Sequence, residues 1–130
     1  MTKEQFKALP HLLQEKDVVA LGFSPSTISK FVECGVLIKV KPPGTSAARY
    51  QKKQLAQLLH WEDLLETKTF QAEAPFMQVK AVCRWTGYSE NTLMAIGLVS
   101  GIESSRPPGM KARKFLKSSV ANLIGFEQWV

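Results

Sequence analysis

The sequence has no long apolar run. No stretch of its 130 residues approaches the roughly 18 consecutive apolar residues of a membrane span, so no membrane partner is expected. The first ten residues, MTKEQFKALP, lack the apolar segment of a signal peptide, and a cytoplasmic, nucleoid-associated location is expected. Cysteine is scarce, with Cys34 and Cys83 alone. Together with His11 and His60 they form no metal-ligand spacing, so neither a metal nor a cofactor is expected. Both cysteines lie in apolar helical patterns, which predicts buried thiols. Phosphate-cradling glycine loops are missing too, because Pro42-Pro43-Gly44 and Pro107-Pro108-Gly109 fall at hairpin positions. Acidic residues are scattered singly, apart from Glu62-Asp63 on a predicted helix surface. Two distant histidines build no catalytic triad. The sequence reads as that of a non-enzyme.

Positive charge is what the chain has in excess. Seventeen basic residues against 11 acidic ones give a net charge of +6 and a pI near 9.5. That balance favours a polyanionic partner. A hydrophobic content of 45% is enough for a folded core.

The stretch from Leu21 to Gly35 organises the rest. Gly22 can take the positive φ of a tight turn. Ser24 stands as N-cap of the next helix, and Pro25 falls at its first position, where a missing N–H costs nothing. Ile28, Phe31 and Val32 recur at helical spacing as a buried face. Ser26, Thr27, Ser29, Lys30 and Glu33 form the other face, small, hydroxyl-rich and carrying a cation. Such a face suits the major groove. Residues Glu15 to Leu21, with Val18, Val19 and Leu21 apolar, predict the preceding helix. Helix, glycine turn, helix is the helix-turn-helix plan, although an ordinary helical hairpin gives the same pattern.

The chain also repeats itself. A shift of 65 residues carries Pro10 onto Pro75, and Gly22, Phe23, Ser24 and Thr27 onto Gly87, Tyr88, Ser89 and Thr92. It carries Pro42-Pro43-Gly44 onto Pro107-Pro108-Gly109, and Arg49-Tyr50 onto Lys114-Phe115. Leu55, Ala56 and Leu58 fall on Val120, Ala121 and Leu123, and Trp61-Glu62 on Phe126-Glu127. Two modules are expected, residues 1–65 and 66–130. Each carries +3, nine basic less six acidic in the first and eight less five in the second.

In the first module a lead-in helix or turn, with Phe6, Leu9, Leu12 and Leu13, breaks near Pro10. After Gly35 the alternation of Val36, Ile38 and Val40 with Leu37, Lys39 and Lys41 predicts a strand with charge on one face. Pro42, Pro43 and Gly44 turn the chain back to a second strand at Arg49 and Tyr50. This ribbon reads as a wing whose Lys39, Lys41, Thr45, Ser46 and Arg49 grip the DNA backbone; a solvated hairpin with edge-protecting lysines is the alternative. A closing helix is expected from Lys52 to Glu66, with Leu55, Leu58, Leu59 and Leu65 as its stripe and Trp61 in the core.

The order DVVALGFSPSTISKFVECGVL at residues 17–37, then Pro43-Gly44, Arg49-Tyr50 and QLAQL at residues 54–58, resembles the winged helix-turn-helix of MerR-type regulators and of phage or plasmid excisionases. The resemblance covers nearly all of the first half. It implies that Ser26, Thr27, Ser29 and Lys30 occupy groove-reading positions, that Arg49 is the wing arginine on phosphate, and that Tyr50 is its aromatic neighbour. The chain departs from MerR regulators in having no long coiled-coil helix and no effector domain after the wing. A metal- or drug-sensing role is therefore not implied.

In the second module, residues 66–76 are a linker or second lead-in, and Met77 to Trp85 the first helix of the pair. Ser89 repeats the N-cap. The following helix keeps Glu90, Asn91 and Thr92 as a polar edge, with Asn91 suited to adenine, but Met94 and Leu98 suggest a surface for protein. The wing charges are Arg106, Lys111, Arg113 and Lys114, with Lys117 just beyond. Leu123, Phe126 and Trp129 predict a core or dimer face on the C-terminal helix.

The expected fold is mainly α with short β-hairpin wings (α+β), in two repeated winged helix-turn-helix modules. The leading functional expectation is a sequence-specific double-stranded DNA-binding protein, a small repressor or autoregulator of bacterial, phage or plasmid origin. Two alternatives stay open. One is an excisionase-like factor that bends DNA. The other is an adaptor that binds a protein partner, or a second copy of itself, through Met94, Leu98 and the C-terminal helix.

Overall fold

Thr2 opens the first helix. Its hydroxyl accepts the Gln5 N–H at 3.2 Å, and the Gln5 side chain accepts the Thr2 N–H at 2.9 Å, a reciprocal cap that satisfies two orphan donors. Helix α1 (Lys3–Ala8) follows and buries Phe6. The computed structural model describes residues 1–41, 48–93, 104–105 and 114–129, and these are mainly helical with small antiparallel sheets, an α+β arrangement.

Strand β1 (Leu12–Leu13) is fully buried and was not expected from the sequence. Two residues are too short for a periodic signal; the pairing is set by β3 (Arg49–Gln51), opposite which Leu12 meets Gln51 and Leu13 meets Tyr50. Helices α2 (Glu15–Ala20) and α3 (Pro25–Glu33) are joined through Gly22 at φ +109°. Val18 is buried, but Val19 faces solvent.

Gly35 ends α3 in the left-handed region at φ +76°. Its N–H reaches the Val32 carbonyl, and the Val36 N–H reaches that of Phe31 at 2.9 Å, closing the last turn as a Schellman cap. This exit overturns the expected strand phase. Strand β2 is only Lys39–Val40, Leu37 is the buried residue, and Val36 and Ile38 face solvent. The cap, not the alternation, decides which side chain turns inward. Cys34, expected to be buried, is exposed as the C-cap residue, and Cys83 is half-buried. The first sheet has the order β1-β3-β2, with Lys39 opposite Tyr50 and Val40 opposite Arg49.

Helix α4 (Lys52–Leu59) stops short of the expected Glu66. His60 takes a left-handed conformation at φ +58°, and the Trp61 N–H turns back to the Ala56 carbonyl at 2.8 Å. A turn of 3₁₀ helix, Glu62–Leu65, follows. Because the helix breaks, Leu65 reaches the core by a separate route while Leu58 stays exposed. Trp61 packs edge-on against Phe6, with 5.2 Å between ring centroids.

The second half has the same element order: α5 (Thr67–Gln71), β4 (Phe76–Gln78), α6 (Val79–Thr86), helical residues 90–93, β5 (Ser104–Ser105), β6 (Lys114–Leu116) and α7 (Lys117–Ile124), then a 3₁₀ turn at Glu127–Trp129. Its sheet order, β4-β6-β5, matches the first. Met77 belongs to β4 rather than to the expected helix, and pairs with Phe115.

Two lysines are buried at equivalent places. The Lys52 ammonium donates to the Lys7 and Leu9 carbonyls at 3.3 and 2.8 Å and lies 4.9 Å from the Phe6 ring centroid. The Lys117 ammonium donates to the Gln71 and Glu73 carbonyls at 2.7 and 3.1 Å, with Phe70 at 5.7 Å. Each satisfies carbonyls left open at the end of a lead-in helix. Lys117 is therefore not the wing charge expected from the sequence; it is turned inward.

The halves are joined around His11. Its backbone N–H donates to the Trp85 carbonyl at 2.8 Å, and its ring packs 4.7 Å from Trp85 and 5.1 Å from Phe126. Gln51 donates to the Leu123 carbonyl at 3.0 Å. Gly87, at φ +80°, sits so close to Pro10 that a Cβ there would lie 2.7 Å from the proline ring.

Candidate nucleic-acid interface

Ser24 caps α3. Its hydroxyl accepts the Thr27 N–H at 3.3 Å and hydrogen-bonds the Thr27 hydroxyl at 2.9 Å. Pro25 occupies the first helical position. Ile28 anchors the inner face, 1% exposed, with Phe31 and Val32 partly buried against the core and Phe23 edge-on to Phe31 at 5.4 Å. This anchoring turns Ser26, Ser29, Lys30 and Glu33, which are spaced along one helical face, out to solvent.

Thr27 is placed differently. It is half-buried, and its hydroxyl is engaged by Ser24, so it belongs to the cap. The same arrangement recurs at Ser89, which accepts the Thr92 N–H at 3.2 Å and bonds its hydroxyl at 2.9 Å. Thr92 is half-buried, and Glu90 and Asn91 are exposed. The matching threonines of the repeat thus have a structural cause, the start of a helix.

Lys39 and Lys41 are exposed at β2 and just beyond it. Lys30, Lys39 and Lys41 form no ion pair with any described residue. The cations of Lys30, Lys39 and Lys41 and the Ser29 side chain therefore stand exposed on α3 and the start of the ribbon, while the Ser26 hydroxyl, also at the surface, hydrogen-bonds that of Ser24 at 3.1 Å. Arg49 does not join them. It is half-buried on the central strand, its guanidinium 5.1 Å from the Tyr88 ring centroid and its Nε buried without a hydrogen-bond partner. Sequence order alone could not show this, because the partner lies in the other half.

Of the remaining candidates, Lys114 lies on β6, with its backbone opposite Gln78 and Ser105. Thr45, Ser46, Arg106, Lys111 and Arg113 lie outside the described residues, as do Met94 and Leu98. Leu123 and Trp129 are partly buried and Phe126 fully so, the last packed on Trp129, Phe70 and Trp85.

A cleft of about 530 Å³ opens at the junction, lined by Lys7, Pro10, His11, Glu66, Arg84 and Trp85 among others. None of the candidate DNA-contacting residues lines it. Burial lowers the His11 pKa to about 4, with the Lys52 charge adding to the effect and hydrogen bonds to the Leu65 and Trp85 backbones opposing it. Its Nε2–H donates to the Leu65 carbonyl at 2.7 Å, while Nδ1 is buried without a partner. This histidine is a neutral packing group. Among the described residues, no group of three or more His, Cys, Asp or Glu could hold a metal ion, and no helix is long and apolar enough to cross a membrane.

No protein-family model, curated protein or solved structure significantly matches the chain.

Proposed function

We propose that this chain is a sequence-specific double-stranded DNA-binding protein built from two winged helix-turn-helix modules, acting at the nucleoid as a small repressor or autoregulator. The observation that carries the reading is the open face of α3, where Ser26, Ser29 and Lys30 point to solvent while Ile28 fixes the helix from behind. An α-helix presenting hydroxyls and a lysine can enter the major groove and meet base edges. Lys39 and Lys41 supply phosphate contacts beside it. The net charge of +6 favours encounter with the polyanion.

In this reading Arg49 positions the two modules instead of gripping phosphate, and the second module contributes Asn91 at its own helix start. Selection of binding sites from a random duplex library, with the wild type and with Lys30→Ala, tests the proposal. The wild type is expected to enrich one motif, and the variant to lose preference at one or two positions of it while binding more weakly by about 1–3 kcal/mol. Failure of the wild type to enrich any motif refutes sequence-specific binding.

A further inference from the structure

The two halves meet through different parts of the same plan. The first offers Pro10 and His11 before β1, with Arg49 and Gln51 on β3. The second offers Trp85, the Gly87–Tyr88 turn and Leu123 near the end of α7. A two-fold relation between the modules would bury both members of every equivalent pair alike. The structure does not. Lys52 and Lys117 donate their backbone N–H to the His11 and Pro75 carbonyls, which makes Pro75 the equivalent of His11. His11 is buried and Pro75 is exposed. Tyr88 is buried and Phe23 only half-buried; Leu123 is partly covered and Leu58 exposed. A Cβ on Gly87 would strike Pro10, whereas one on Gly22 would meet nothing within 4 Å. The contact is heterologous, and the modules stand head-to-tail.

The start of the reading helix is nevertheless built the same way in both halves. Ser24 and Ser89 make the same pair of bonds, to Thr27 and to Thr92. Ile28 and Leu93, one repeat apart, are both buried behind the helix. Asn91 is thereby exposed at the place of Ser26. The start of the second helix also adjoins the ribbon of the first module. Tyr88, immediately before the Ser89 cap, holds the Arg49 guanidinium over its ring, and Arg49 lies opposite Val40 in that ribbon.

We infer that one chain recognises two half-sites laid in the same direction along the duplex, a tandem and not an inverted repeat; this rests on the DNA-binding reading proposed above. Inverted half-sites are related by a two-fold axis across the duplex, and two modules bound to them alike would share that axis. The junction lacks it. With the first ribbon against the start of the second helix, the order along the duplex is α3, then the ribbon of Lys39 and Lys41, then the second helix. The two half-sites differ in sequence, because Asn91, Met94 and Ala95 stand where the first module has Ser26, Ser29 and Lys30.

Site selection from a random duplex library first identifies one half-site, as the positions that lose preference in Lys30→Ala. The triple variant Asn91→Ser, Met94→Ser, Ala95→Lys then carries the reading residues of the first module in both. It is titrated by fluorescence anisotropy into duplexes holding two copies of that half-site, direct or inverted, at spacings up to about two helical turns. The best direct repeat is expected to bind about 100-fold more tightly than the best inverted one, since only the former engages both modules. Preference for the inverted repeat, or equal affinity for both, overturns the inference and leaves DNA binding standing. A wild type that enriches no motif overturns both. A second measurement needs no graft. An iron chelate is placed on Cys34, which is exposed at the end of α3, in a Cys83→Ala chain. It is placed on Lys41→Cys or Glu90→Cys in chains that also carry Cys34→Ser and Cys83→Ala. On the selected wild-type site, the cuts from Lys41→Cys are expected to fall between those from Cys34 and Glu90→Cys. Cuts from Lys41→Cys outside that interval overturn the inference.

Discussion

The Arg49 guanidinium lies 5.1 Å from the centroid of the Tyr88 ring, and this pair links the central strand of the first sheet to the helix-turn of the second half. A cation over an aromatic face in a partly desolvated site contributes about 0.5–2 kcal/mol. A double-mutant cycle with Arg49→Ala and Tyr88→Ala, followed by urea denaturation, is expected to return a coupling energy in that range. A coupling near zero contradicts the structural role given to Arg49.

Lys52 and Lys117 are expected to behave alike. Removing either ammonium leaves two helix-end carbonyls without their donor and a void beside a phenylalanine ring. Lys52→Ala and Lys117→Ala should each cost on the order of 2–4 kcal/mol in thermal or denaturant unfolding. A surface lysine in an ordinary helix start would change stability by less than about 0.5 kcal/mol, so the measurement separates the two cases clearly.

His11 sets an acid limit on stability. Its pKa is about 4 in the fold against 6.5 in the unfolded chain, mainly because burial disfavours the imidazolium. A proton on Nδ1 would be a buried donor with no acceptor. Between these two values the unfolded state binds more proton. Stability is therefore full above pH 6.5 and falls as the pH drops towards 4, by a total on the order of 3 kcal/mol. His11→Phe, which keeps an aromatic ring without a titratable nitrogen, should flatten this part of the profile of unfolding free energy against pH. A variant profile as steep as the wild type would place the proton uptake elsewhere.

His60 and Gly125 end equivalent helices in the left-handed region, at φ +58° and +84°. Glycine adopts that conformation freely and histidine does not. His60→Gly is expected to stabilise the chain by roughly 0.5–1 kcal/mol. Gly125→Ala is expected to destabilise it by more than His60→Gly gains, since its Cβ would also meet the Gln51 side-chain oxygen at 2.7 Å. Thermal melts of the two variants give the signs directly.

Lys39 and Lys41 provide the test of the proposed wing. If both lie on phosphates, Lys39→Ala with Lys41→Ala reduces the slope of log K against log salt by about 2, equally for all duplexes. An unchanged slope would remove this end of the ribbon from the interface.

What the sequence made legible was local. Ser24, Pro25 and Ile28 define α3 through capping, a preset φ and helical spacing, all within a few residues of one another. The exposed Ser26, Ser29 and Lys30 follow from the same periodicity. What it hid was set at long range. Strand β1 exists only because β3 pairs with it, and Arg49 turns from the open face because Tyr88 waits 39 positions further along, 88 less 49. The buried lysines read as surface charges because no local pattern shows that their ammonium groups will find helix-end carbonyls. One signal was present: Lys52 and Lys117 are separated by the repeat shift itself. The phase of Val36 to Val40 misled for a different reason, since a helix cap upstream decided it.

The central claim is that the face of α3 reads duplex DNA. Fluorescence anisotropy, with the protein titrated into a duplex from upstream of its own gene and into a scrambled duplex at several salt concentrations, tests it most directly. Tight binding that weakens steeply with salt and prefers the upstream duplex is the predicted result. No binding to either duplex at low salt would contradict the claim.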